Sequence, residues 1–198
     1  HWRATARHGE LMVRQEEQRS NPAAWLVVDT SITEGRPRAG VDPDFELLVE
    51  VAAAIGVFLV RSGFSITVAE TARGGRSEFE SASGERAFLG ALAVLQPAEP
   101  SAGKAAAPLA QEVRSGAGTA PLVAVLRAGS SAASGVMASL RPYCDPGIIF
   151  LVGSRQDESA PGEAAAYPGW SCIPVVTRSD IGPACRSGLE ATDRIDHG

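Results

Sequence analysis

The sequence predicts a doubly wound, mostly parallel α/β sheet with helices on both faces, and three observations predict it. Short apolar runs such as Trp25–Val28, Pro121–Leu126 and Ile148–Val152 read as strands buried on both faces. Between them lie segments whose apolar residues recur at helical spacing. Strand and helix alternate about five times, with no repeat of fixed period and no hinge long enough to separate two cores.

The first 20 residues are charged and mixed in pattern and read as an N-terminal arm; residues 21–198 form the domain. Within the arm, Leu11 to Arg14 has the character of a short strand, and Asn21-Pro22 marks a turn. Trp25–Val28 is the first strand of the sheet and ends on Asp29. After a polar loop, Asp42 caps a helix that has Pro43 at its first position, with Asp44 and Glu46 near the positive end of its dipole. Leu48, Val51, Ala52, Ile55, Phe58 and Leu59 form its apolar face, and Gly63 provides the exit. Phe64 to Thr71 is the second strand, and the following ARGGRSEFE reads as a loop. Ser81 or Ser83 caps a second helix with an apolar face of Phe88, Leu92 and Leu95, stopped by Pro97. A short helix over Pro108–Arg114 precedes the third strand, Pro121–Leu126. Ser130 or Ser131 caps a helix to Leu140, Ile148–Val152 is the fourth strand, Cys172–Val176 the fifth, and a last helix begins near Asp180.

The 198 residues are 44 % apolar and 21 % charged, enough to build one sizeable core. A net charge of −5 and only 6 % aromatic residues argue against a nucleic-acid partner, which needs a basic face or stacking platforms. The cysteines Cys144, Cys172 and Cys185 are odd in number and form no Cys-x-x-Cys pair, so reduced, buried thiols are expected rather than a disulfide framework or zinc site. The most apolar run, Leu47 to Val60, is too short to span a bilayer and contains Glu50. With no signal peptide visible, a cytoplasmic fragment of a longer chain, with no membrane insertion of its own, is expected.

Two stretches carry a family resemblance. HWRATARHGELMVRQEE, residues 1–17, and AWLVVDTSIT, residues 24–33, resemble the signature of domain-of-unknown-function family 58, a MoxR-associated bacterial family with a C-terminal von Willebrand A-like domain. The resemblance covers the first thirty-odd residues by motif and the rest by order and length of elements. It implies a membrane hairpin upstream of these residues and a MoxR-type AAA+ ATPase as partner class.

The von Willebrand A fold often carries a metal-ion-dependent adhesion site, and the resemblance implies its first element, Asp-x-Ser-x-Ser, at Asp29, Ser31 and Thr33, with Thr in the last place. One carboxylate and two hydroxyls in five residues suit a hard cation such as Mg2+ or Mn2+. The second element, a Thr at the start of a later helix, has Ser81 and Ser83 as its nearest candidates. The third, an Asp at the end of the strand beside strand one, falls where LVAVL ends in Arg127. The guanidinium of Arg127 is therefore expected to pair with Asp29 in the cation's place, so that an empty site is about as well supported as an Mg2+ or Mn2+ site. Read without the family, Asp-x-Ser-x-Thr is a strand-end turn in which short polar side chains bond nearby backbone.

Other chemistry is weakly signalled. GSSAASG, residues 129–135, has the wrong spacing for a nucleophile elbow, and His1, His8 and His197 lie near the termini. Gly103-Lys104 lacks the spacing of a phosphate loop. Ala72-Arg73-Gly74-Gly75-Arg76 can bind an anion through backbone and arginines, but such loops are more often simply solvated. The expectation is a protein-interaction module and not an enzyme. The alternatives are a metal-dependent enzyme acting on a phosphorylated small molecule, and a structural domain with a degenerate metal site.

Overall fold

The computed structural model describes residues 22–32, 42–80, 84–99, 106–115, 120–153 and 164–193. The expected N-terminal arm, Thr33, Ser81 and Ser83 lie outside these residues.

Six strands form one sheet: β1 (Ala23–Val28), β2 (Ser65–Glu70), β3 (Arg76–Phe79), β4 (Ala120–Arg127), β5 (Cys144–Val152) and β6 (Ser171–Val175), in the order β3-β2-β1-β4-β5-β6. All neighbouring pairs are parallel except β2 and β3. The apolar run of β1 is central because both its faces are covered. Leu26 and Val28 face the layer formed by α1 (Pro43–Arg61), α2 (Gly84–Ala93) and α5 (Ile181–Asp193). Val27 faces the opposite layer, formed by α3 (Ala106–Ser115) and α4 (Ser131–Leu140), with Tyr167 and Trp170. The expected doubly wound, mostly parallel α/β architecture is therefore present, with helices on both faces.

α1 begins as the sequence predicts. The Asp42 carboxylate accepts from the N–H groups of Asp44 (3.1 Å) and Phe45 (3.3 Å), and Pro43 occupies the first turn. Leu48, Val51, Ala52, Ile55 and Leu59 are buried as expected, but Phe58, assigned to the same face, lies at the margin of that stripe and is exposed. Gly63 leaves the helix with φ +90°, the left-handed conformation that glycine adopts without a Cβ penalty. Where α1 crosses α2, Gly56 has no side chain, and the buried ring of Phe88 occupies the space: a Cβ there would sit 2.1 Å from Phe88 Cζ.

One expectation about the sheet is corrected. The segment read as a loop after β2 contains β3, an antiparallel edge strand registered as Ile66↔Phe79 through Ala69↔Arg76. Its alternation of Arg and Glu with Ser and Phe contains no apolar run, because an edge strand needs little burial. The sheet accordingly has six strands, one more than the alternation of strand and helix predicts. Ser130 takes the N-cap position of α4, as expected, without a side-chain capping bond.

The other edge is β6. The N–H of Gly153 donates to the Val175 carbonyl (3.1 Å), so alternate residues from Ser171 to Val175 turn their backbone toward β5. Cys172, Pro174 and Val176 turn theirs outward. Pro174 has no N–H to present, and the N–H of Val176 donates to the Asp180 carboxylate (3.1 Å). The same carboxylate accepts from the N–H (2.7 Å) and hydroxyl (2.9 Å) of Thr177, in a capping box at the turn leading into α5. Among the described residues, no helix is long and apolar enough to cross a membrane.

Candidate functional site at the carboxyl ends of the central strands

In an open α/β sheet, ligands bind beyond the carboxyl ends of the strands, where the strand order reverses. Here that place lies between β1 and β4, where Asp29 follows the first strand and Arg127 ends the other. Asp29, Thr30, Ser31 and Arg127 are the buried polar residues among those described.

Asp29 Oδ1 accepts three hydrogen bonds: from the Ser31 hydroxyl (2.5 Å), the Ser31 N–H (3.1 Å) and the Thr71 hydroxyl (2.8 Å). Oδ2 receives the N–H of Arg127 at 3.4 Å, a long contact. The parallel register pairs Val28 with Glu70, so the next residue of each strand, Asp29 and Thr71, falls side by side. The Thr71 hydroxyl also accepts from the Thr30 N–H (3.2 Å), and the Thr30 hydroxyl accepts from the Ala72 N–H (3.3 Å). Backbone bonds from Ala98 to Thr30 (2.8 Å) and from Ile32 to Ala98 (2.9 Å) hold the start of the loop on its other side. The loop is thus fixed by hydrogen bonds to one fully buried carboxylate and by the bonds of Thr30 and Ala98 around it.

The structure brings Asp29, Ser31 and Arg127 to one place. It corrects the partner expected for the guanidinium: Arg127 Nη1 pairs at 2.9 Å with Oδ2 of Asp42, and only the backbone of Arg127 reaches Asp29. The same guanidinium lies 5.8 Å from the centre of the Phe45 ring. The reason is positional. Asp42 caps α1 with Oδ1, and this leaves Oδ2 facing the end of β4. Thr71 was not among the sequence candidates, although its place one residue beyond an apolar strand was a signal for it. The sequence shows Asp42 only as a cap, because its partner Arg127 lies 85 residues away.

Among the described residues, the oxygen set for an adhesion-type cation is incomplete. The shell of such a cation is built of oxygens; Asp29 Oδ1 already has three donors, while the Ser31 hydroxyl, which gives its hydrogen to that oxygen, keeps its lone pairs. Among the described residues no group of three His, Cys, Asp or Glu side chains converges. Arg127 brings a positive charge where the resemblance implies an acidic third element.

The cysteines are free, as expected, with Cys144 buried and Cys172 and Cys185 partly so. Burial pushes the Cys144 thiol up to about 11, against the opposing charge of Arg141. Burial also raises Cys172, and it raises Cys185 despite nearby Arg186. None of the three is an activated thiolate. In the expected anion loop, Arg76 is engaged with Glu112 (2.8 Å) and Glu78 (3.3 Å).

No curated protein matches the sequence. A solved structure described as von Willebrand factor type A from Catenulispora acidiphila is similar in fold, with a TM-score of 0.52 and 12 % sequence identity. The match covers 85 % of this chain and 42 % of that one, so this chain spans less than half of its neighbour's length. The family model described as "Protein of unknown function DUF58" matches residues 1–124, and on that match the chain belongs to the DUF58 family.

Proposed function

We propose that the domain is a protein-interaction module that presents the loops at the strand ends around Asp29 to a protein partner, without catalysis and without a bound metal. The observation that carries this reading is the set of bonds to Asp29. Its carboxylate is engaged in holding residues 29–32 in one shape, an arrangement suited to a preorganised contact surface. Preorganisation lowers the ordering cost of binding, and loops on a rigid scaffold are the usual site of recognition. The family resemblance supplies the partner class, a MoxR-type AAA+ ATPase, and the domain then acts beside that ATPase in the cytoplasm.

The test is direct association of the full chain with its cognate ATPase by calorimetry, with ATP analogue, with ADP and without nucleotide. Arg73→Glu alters an exposed side chain near the strand ends, outside the hydrogen-bond web, and should weaken binding while leaving the melting temperature unchanged. Lack of association in every nucleotide state would refute the partner class. A melting temperature raised by millimolar Mg2+ or Mn2+, and no longer raised in Asp29→Ala, would reinstate the metal reading. A ligand at 100 times its Kd stabilises by about 2.7 kcal/mol, so such a shift is resolvable.

A further inference from the structure

We infer that the β3 edge is a self-association surface, on which a second copy of this chain pairs antiparallel through a register centred on Ser77. The argument starts from the direction of the backbone. The N–H of Glu70 donates to the Gly75 carbonyl (3.0 Å), and the β2–β3 register continues with Ala69↔Arg76 and Val68↔Ser77. Residues 70 and 75 are therefore a hydrogen-bonded pair, and Ser77 and Phe79 bond to β2 in their turn. Arg76 and Glu78 direct their N–H and C=O groups out of the sheet, where no described residue meets them. Both residues are exposed.

A second β3 can satisfy those groups only by placing its own outward residues opposite them. Three registers do so. Two set Arg76 opposite Arg76 or Glu78 opposite Glu78, and like charges directly opposed are unfavourable. The third, centred on Ser77, sets each Arg76 opposite Glu78 of the second copy, twice over by symmetry. The short charged strand that would repel a general partner is complementary to itself in this one alignment.

Side-chain placement agrees. Arg76 points to the face of α3, where it meets Glu112, so the crossed charge pairs would form on that face. Ser77 and Phe79 point to the other face, toward α2. There they line a groove of about 250 Å³ with Val68, Phe88, Leu92 and Leu95. In the Ser77 register Phe79 lies opposite Gly75 of the second copy, and a glycine leaves room for the ring. A two-fold axis perpendicular to the sheet keeps both α2 helices on one face. These helices carry Leu89, and the turn after each carries Val94, both large apolar residues that the monomer leaves exposed, Val94 by 75 %.

The test is sedimentation of the full chain over a concentration series, at low and high salt. The wild type should show a monomer–dimer equilibrium that weakens with salt. Glu78→Arg leaves the Arg76–Glu112 pair in place and should weaken the dimer about tenfold by opposing like charges twice. Arg76→Glu should do the same, and the double swap R76E/E78R should recover the dimer. Melting curves of each variant separate loss of pairing from loss of fold. A wild type that stays monomeric throughout, or a dimer indifferent to both single swaps, overturns the inference.

Discussion

Asp29 and Asp42 sit at neighbouring strand and helix ends and are both carboxylates, yet they fail differently when altered. Asp29→Asn retains an oxygen for the three donors on Oδ1 but places an NH2 group against the N–H of Arg127. Two buried donors then face each other, and denaturant unfolding should show a loss of about 1–3 kcal/mol. Asp42 has one oxygen on the α1 cap and the other on Arg127. Asp42→Ser keeps a capping oxygen and loses the ion pair, whereas Asp42→Ala loses both. Each should be destabilising, with Ala lower than Ser by about 1 kcal/mol, the worth of a cap. Equal losses would mean that the cap contributes nothing here. The cap was legible in the sequence because its partners are two and three residues away. The ion pair was not, because only the folded sheet brings residue 127 to residue 42.

At the scale of elements, the contact between α1 and α2 depends on a missing side chain. Glycine inside a helix ordinarily costs about 1 kcal/mol relative to alanine. Gly56→Ala should nonetheless destabilise, by about 1–3 kcal/mol in chemical unfolding, because the new methyl would overlap the buried Phe88 ring. Adding Phe88→Leu should recover part of that loss, and a stabilised Gly56→Ala would show the crossing to be loose. The turn into α5 carries a pH dependence. Hydrogen bonds from the backbone and hydroxyl of Thr177 hold the Asp180 carboxyl below its ordinary 3.8. Its stabilisation is therefore complete above that value and fades as pH falls through the lower folded-state value. The melting temperatures of wild type and Asp180→Asn should differ by a constant amount above pH ~5 and converge in stronger acid. The long, strongly patterned elements α1, β1 and β4 were legible because burial on one or two faces dictates their composition. β3 was not, since four edge residues satisfy no burial pattern, and the Gly-Gly before them reads as a loop.

For the molecule as a whole, both faces of the sheet must stay covered. Val28 and Val125 pack into one layer, Val27 and Ala124 into the other, so neither layer can leave without exposing the same strands. Opening should then be global, and Cys144 reports it. With its thiol raised to about 11 and buried beneath α4, it should react with iodoacetamide at pH 8 only as fast as the chain unfolds. Labelling of native Cys144 at the rate of a free thiol would mean that the α3–α4 layer opens by itself. The architecture was legible from alternation alone. The place of the site followed from the topology, but the bonds that shape it did not, because Thr71 and Ala98 reach it through tertiary contacts.

The proline in β6 limits how far such sheets can extend. A sheet with two receptive edges can add copies at both and grow into a ribbon without end. Here the β6 side lacks one donor at Pro174 and has another tied to Asp180. Whatever joins the sheet at β3 therefore meets a blunt end on the far side, and growth through strand pairing stops at a finite particle instead of a fibre.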